Sequence, residues 1–168
     1  MSAALTWNPS LELHVAAMDE THQEFVELLG QVQAASDANL LLQWQALIAH
    51  TEEHFAQEDL WMVATGFGAN NCHTMQHATV LSILREGAEQ AAHGKLDVIR
   101  GMAADLTTWF VHHAKTMDAA LAQHMQTLEY DTVTGLMPNR SALPATPITG
   151  CGGACSPSTE KSAAPSPV

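Results

Sequence analysis

Imidazole and carboxylate side chains recur along this chain at spacings that suit metal coordination. In chain order they are His22, His54, Glu58, His73, His77, His113 and Asp118. Residues four apart on a helix lie one turn apart on the same face, so His54 and Glu58 point the same way. The same holds for His73 and His77. Five imidazoles and two carboxylates are too many ligands for one metal ion and about right for two.

The ligand types narrow the choice of metal. Imidazole combined with carboxylate suits iron, zinc, copper or nickel better than calcium or magnesium, which prefer oxygen ligands throughout. No cysteine lies at helical spacing with the histidines, which argues against a structural zinc or iron–sulfur site. Asp118 follows His113 by five residues, so this pair converges only if the two side chains lean towards each other.

Two carboxylates can each bridge two metals, because each has two oxygens. With Glu58 and Asp118 as bridges, the five imidazoles divide as three on one metal and two on the other. One metal then keeps an open position for a small ligand. Two divalent ions bring four positive charges, and the carboxylates with a bridging hydroxide cancel three of them. A site of such low net charge is tolerated in an apolar core.

The segments that carry these residues have the apolar periodicity of helices. We predict helices at about 19–35, 40–64, 72–92 and 96–129. Short connections between long helices imply antiparallel neighbours. The predicted fold is therefore all-α, an antiparallel up-down-up-down four-helix bundle over residues 1–130 with an N-terminal arm. Residues 131–168 are rich in Pro, Ser and Gly, which predicts a disordered tail carrying Cys151 and Cys155.

The composition excludes several classes of partner. Acidic residues outnumber basic ones 18 to 6, for a net charge of -12, which argues against a nucleic-acid or anionic-membrane surface. No apolar run approaches the roughly 20 residues that cross a bilayer. The N-terminus lacks the basic and apolar regions of a signal peptide, so we expect a cytoplasmic protein. The sequence indicates no particular protein partner.

The motifs together resemble the hemerythrin family, in particular the bacterial hemerythrins. The resemblance covers roughly Trp7 to Met125. It rests on Trp7, D-E-T-H ending at His22, H-T-E-E-H-F-A-Q-E-D from His50, H-T-M-Q-H from His73 and W-F-V-H-H-A-K-T-M-D ending at Asp118. It implies one iron on His73, His77 and His113. The second iron would lie on His22 and His54, with Glu58 and Asp118 as bridges.

This resemblance implies a cofactor of two iron ions, Fe2+ or Fe3+, with a bridging oxo or hydroxo group. Its ligand would be O2, bound reversibly for carriage, storage or sensing, and the chain would not be an enzyme. One alternative is a di-iron peroxidase or nitric-oxide-handling enzyme. The histidine-rich ligand set disfavours it, because oxygen-activating bundles use mostly carboxylates with Glu-x-x-His pairs. A second alternative is a redox or O2 sensory module that acts through its C-terminal tail.

Two features depart from the family pattern or lie outside it. His50 stands where a Tyr is common in the family. We interpret it as a residue of the bundle end; the alternatives are a hydrogen-bond partner of a metal ligand and a sixth imidazole near the metals. Residues 129–143 resemble the opening D-x-L-T-G-L-P-N-R segment of diguanylate cyclase (GGDEF) domains. The catalytic loop of those domains is absent, so we expect no cyclase activity. The segment hints that related hemerythrin domains serve as sensory inputs.

Overall fold

Long helices dominate the structure, a computed structural model that describes residues 5–150. The helices within that range are α1 (Ala16–Ala34), α2 (Asp37–Ala64), α3 (Cys72–Ala92), α4 (Leu96–His113) and α5 (Ala119–Thr127). A π-helical segment, Ala114–Asp118, joins α4 to α5 into one rod. Each long helix contacts the next along the chain, and α4 also contacts α1. The predicted four-helix bundle is confirmed.

The helix ends follow local chemistry, and two helices begin earlier than predicted. The α3 bounds match the prediction, and Asn71 caps this helix by accepting from the N–H groups of His73 and Thr74. α1 begins at Ala16 instead of 19, and α2 begins at Asp37 instead of 40. Residues 37–39, which lie between the helices predicted at about 19–35 and 40–64, form the first turn of α2, with Ser36 at the N-cap position. There the acidic Asp37 side chain suits the positive end of the helix dipole.

The bundle core consists of two apolar clusters, one after the other along the bundle axis. One includes Phe25, Trp44 and Phe110, and the other includes Met18 and Met117 with their neighbours. Fully burying one such side chain contributes about 1.5–3 kcal/mol. Along α1, α2 and the α4–α5 rod, the polar site residues fall between members of these two clusters. The site is therefore enclosed by apolar packing on both sides along the bundle axis.

Residues 131–150, part of the segment predicted to be a disordered tail, follow a defined path over the bundle in the structure. The N–H groups of Gly68 and Cys72 donate to the carbonyls of Ile148 and Thr149, and Ile148 donates back to Gly66. Ile148 also packs against the apolar cluster that contains Met18 and Met117. Hydrogen bonds to the turn between α2 and α3 compensate for the low apolar content on which the prediction rested. We call residues 143–149 the C-terminal strap.

Other predictions concern the two ends of the chain. Residues 5–15 form the predicted N-terminal arm, with Leu11 buried and the backbone N–H of Leu13 donating to Asp19 on α1. Cys151 and Cys155 lie outside the described residues. Within residues 5–150, no helix has both the length and the apolar character that a membrane span requires.

Candidate metal centre

The seven predicted site residues meet in the middle of the bundle. Each is at most 5 % exposed; they are His22 on α1, His54 and Glu58 on α2, His73 and His77 on α3, His113 on α4, and Asp118 at the end of the π-helical segment. Buried ionisable groups at this density are stable only when each is paired with an opposite charge or a metal. The structure thus brings together every residue of the predicted set.

The donor atoms form two overlapping groups. Those of one group all lie within 4.8 Å of one another and belong to Glu58, His73, His77, His113 and Asp118. The donors of the second group meet the same limit and belong to His22, His54 and Glu58. Since Glu58 belongs to both, the two groups adjoin instead of forming separate sites.

Glu58 directs its two oxygens to different groups. Oε1 lies 3.1 Å from Nε2 of His54 and 3.6 Å from Nε2 of His22. Oε2 lies 3.3 Å from Nε2 of His77 and 3.6 Å from Nε2 of His73. This is the arrangement expected of a carboxylate that bridges two cations.

Asp118 divides its oxygens in the same way. Oδ2 lies 3.3 Å from Nε2 of His22, whereas Oδ1 lies 2.9 Å from Nε2 of His73 and 3.1 Å from Nε2 of His113. The π-helical segment that ends at Asp118 makes this possible, because its wider turn brings residues five apart onto one face. The side chains of His113 and Asp118 thus converge because of the backbone conformation and not only because they lean towards each other.

The imidazole nitrogens of the three-histidine group face one another at close range. Nε2 of His113 lies 3.1 Å from Nε2 of His73 and 3.3 Å from Nε2 of His77. Three lone pairs directed at one point repel one another unless a proton or a cation lies between them. Neutral imidazole is also the form that binds a metal.

Several buried polar atoms in the site lack hydrogen-bond partners among the described residues. They are both ring nitrogens of His22, Nδ1 of His54 and of His73, Oε2 of Glu58, and both carboxylate oxygens of Asp118. Leaving one such group unsatisfied costs about 1–3 kcal/mol, and more when it is charged. Of these atoms, the inward-facing nitrogen and oxygens are the donors that a pair of metal ions would take up. The residues present therefore fit a dinuclear metal centre.

Mutual electrostatics sets the ionisation of the metal-free site. Burial raises the pKa of Glu58 and so does the Asp118 charge, but nearby imidazoles, His54 first, hold it well below its usual range. Burial lowers the pKa of His22, but the carboxylates of Asp118 and Glu58 outweigh burial and raise it to about 10. Burial likewise lowers the pKa of His77, and the carboxylates of Asp59 and Glu58 raise it to about 9. Protons therefore replace part of the missing positive charge when no metal is bound.

Two residues that the sequence did not point to contact the outer edges of two site imidazoles. Nδ1 of His77 lies 2.9 Å from Oδ1 of Asp59, and Nδ1 of His113 lies 2.9 Å from Oε1 of Gln76. Trp109 stacks on the His113 ring with centroids 4.5 Å apart. Asp59 follows Glu58 and Gln76 precedes His77 in the sequence, and this adjacency to predicted site residues is the only signal that could have identified them.

Two further histidines stand apart from the centre. His50 is half-buried, and its Nε2 lies 3.1 Å from the carbonyl of Thr21, so it links α2 to α1. His112 is exposed, as expected from its position beside His113 on the helix.

The profile of the hemerythrin HHE cation binding domain matches residues 13–125 of the chain. The chain belongs to the hemerythrin family. This confirms the resemblance drawn from the motifs, and all seven site residues lie inside the matched range.

Two curated relatives agree with this membership. A bacteriohemerythrin from Ralstonia nicotianae is 40% identical over 114 residues, which is 68% of this chain and 83% of the relative. A hemerythrin subunit from Sipunculus nudus is 25% identical over 113 residues, which is 67% of this chain and 86% of the relative. No solved structure matches the chain significantly.

Proposed function

We propose that this hemerythrin binds dioxygen reversibly at two iron ions held by the seven site residues. The observation that carries the proposal is the division of both carboxylates between the two imidazole groups. One position then has five protein donors, namely three imidazole nitrogens, Oε2 of Glu58 and Oδ1 of Asp118. The other has four, namely two imidazole nitrogens, Oε1 of Glu58 and Oδ2 of Asp118. The position with fewer donors can accept a small external ligand.

Aromatic side chains cover the side of that position next to His22. The His22 ring meets the Phe110 ring edge-on with centroids 5.3 Å apart, and Phe110 stacks on Phe25 at 4.6 Å. These side chains limit the access of water and protons, which favours release of the ligand unchanged over its reduction. Iron, when bound, supplies the electrons that dioxygen accepts and returns.

An absorption experiment on the full chain tests this function. Aerobically purified protein should contain about two irons per chain and show iron charge-transfer bands. The bands should change when oxygen is removed under nitrogen and return on re-exposure to air. Protein loaded with zinc instead of iron is the control, since zinc has no redox chemistry and should give no oxygen response. Iron-loaded protein without a reversible oxygen response, or with sustained turnover of peroxide or nitric oxide, would contradict the proposal.

Oxygen sensing is a second candidate function, and the C-terminal strap favours it. The strap bonds to the backbone of Gly66, Gly68 and Cys72, and Cys72 immediately precedes the ligand His73. A shift of α3 upon oxygen binding would therefore reach the strap directly. Limited proteolysis of the full chain tests this link: cleavage within residues 143–150 should differ between oxygenated and deoxygenated protein. Equal cleavage rates in the two states would eliminate the sensing function.

A further inference from the structure

The three imidazoles of the five-donor position differ at their outer nitrogens. His77 faces the Asp59 carboxylate and His113 faces the Gln76 amide oxygen, each at 2.9 Å. Nδ1 of His73 is buried without a hydrogen-bond partner among the described residues. One ligand ring therefore has a charged partner, one has a neutral partner of equal distance, and one has none.

Asp59, the partner of His77, lies on helix α2 next to the site residues His54 and Glu58. His54 and Glu58 form one row along α2, and Phe55 and Asp59 form the next row, one residue round the helix. The Phe55 ring stacks on the His77 ring with centroids 3.8 Å apart and an interplanar angle of 5°. Phe55 thus fixes the face of the His77 ring, and Asp59 fixes its edge.

The chemical consequence follows from the direction of the proton. Nδ1–H of His77 donates to Asp59, so in the neutral ring, the form that binds a metal, Nε2 carries the lone pair that faces the site. A carboxylate acceptor draws the Nδ1 proton more strongly than an amide does, which makes the opposite nitrogen a stronger electron donor to a metal. The Asp59 side chain is 43 % exposed, so its carboxylate does not carry the full desolvation penalty of a buried group.

We propose that Asp59 is a positioning residue that makes His77 the strongest imidazole donor of the five-donor position. This inference rests on the proposed function and deepens it. With iron bound at that position, the stronger donation from His77 would stabilise the oxidised ion relative to the reduced one. Gln76 contacts the His113 ring at the same distance, 2.9 Å, but without a charge, so the two partners form a matched pair.

The test exchanges the charges of the pair. Asp59→Asn keeps an acceptor oxygen and removes the charge, whereas Gln76→Glu adds a charge at the neutral partner. Glu86→Gln removes one exposed carboxylate of α3 elsewhere and controls for total charge. Asp59→Asn should weaken Co2+ binding by the metal-free protein about tenfold. It should also raise the iron midpoint potential by about 59 mV, the one-electron equivalent of tenfold. Gln76→Glu should shift both quantities the opposite way, and Glu86→Gln should change neither by more than about twofold.

The outcomes separate this inference from the proposed function. Shifts of Asp59→Asn and Gln76→Glu in the same direction, or no shift of either, would overturn the role of Asp59. The cobalt measurement needs neither iron nor oxygen, so it reports on Asp59 even if the wild-type protein shows no oxygen response. A wild-type protein without an oxygen response would contradict the proposed function but not the role of Asp59. Because Gln76→Glu is an independent variant, a failure of Asp59→Asn to fold leaves the inference falsifiable.

Discussion

Asp118 lies five residues after His113, yet its Oδ1 is 3.1 Å from Nε2 of His113. In a regular α-helix, five residues rotate the chain by about 500°, which leaves the two side chains roughly 140° apart. The π-helical segment Ala114–Asp118 removes most of this difference. A local departure from α-helix thus allows the second carboxylate to reach both imidazole groups.

The contrast between His113 and its neighbour gives the first prediction. His113 is 1 % exposed and contacts Asp118, whereas His112 is exposed. His113→Ala should lower the iron content below two per chain and weaken the charge-transfer bands. His112→Ala should leave both unchanged, because its side chain points away from the site. Iron analysis with absorption spectra checks this, and equal iron contents in the two variants would count against His113 as a ligand.

Sequence periodicity predicted the bundle and the convergence of the His54–Glu58 and His73–His77 pairs. These predictions depend only on the rotation per residue of an α-helix and on which face is apolar. The π-helical segment could not be predicted in this way, because its sequence also suits a continuous helix. Nor could the partner of His77, since Asp59 follows Glu58 and has the pattern of an ordinary solvated carboxylate.

The path of the C-terminal strap could not be predicted either, for a different reason. Backbone hydrogen bonds attach it to the α2–α3 turn. Because every residue carries backbone polar groups, the amino-acid composition does not indicate such bonds. Proline and serine content therefore gives no indication of the hydrogen bonds that the strap makes to this turn.

Gly66 gives a second prediction, on the attachment of the strap. Its φ is +95°, and an added Cβ would lie 2.9 Å from Pro144 Cγ. Gly66→Ala should therefore destabilise the protein by about 1–2 kcal/mol from the backbone conformation alone, with displacement of the strap in addition. Urea unfolding measures the free energy, and cleavage by protease within residues 143–150 reports the displacement.

Gly30 is the matched control for this substitution. It lies within α1, and an added Cβ would meet nothing within 4 Å. Gly30→Ala should stabilise the protein by about 0.5–1 kcal/mol, because alanine loses less conformational freedom in a helix. If both alanine variants changed stability in the same direction, the account of Gly66 and the strap would be wrong.

Removal of the metal gives a third prediction. The site leaves buried nitrogen and oxygen atoms unsatisfied, so metal binding should contribute to folding. At about 1,000 times its dissociation constant, one bound ion contributes about 4 kcal/mol. At about 3 °C per kcal/mol, chelation of that ion should lower the melting temperature by roughly 12 °C. Scanning calorimetry before and after chelation measures the change, and Zn2+ should restore most of it. Identical melting temperatures would mean that the fold does not depend on the centre.

Proton release on metal uptake is a fourth prediction. Without metal, the carboxylates beside His22 and His77 hold their pKa values at about 10 and about 9. Both rings are therefore protonated near neutral pH, and metal binding requires their neutral forms. Zn2+ uptake in weakly buffered solution should release about two protons per chain, measured with a pH indicator. His112→Ala should release as many. Uptake without proton release would show that these imidazoles are already neutral.

The same pKa shifts fix how the stability of the metal-free protein depends on pH. The folded pKa values of His22 and His77 lie above the ordinary value of 6.5. Their contribution to stability is therefore complete below about pH 6.5 and disappears as the pH rises through 9 to 10. Glu58 and Asp118 have lowered pKa values, so their contribution is present above their ordinary values of 4.5 and 3.8 and disappears at lower pH.

Burial lowers the pKa values of His113 and His50, so protonation of these two rings reduces stability below pH 6.5. Together these trends predict that the metal-free protein is most stable near pH 6.5. Urea unfolding across the pH range measures this dependence. Zinc-loaded protein is the control, because the metal holds the imidazoles neutral and removes their dependence above pH 6.5. Its stability should instead increase from pH 5 to 7, since protons compete less with the metal. A metal-free protein whose stability rises between pH 7 and 10 would show that the site carboxylates do not hold protons on these histidines.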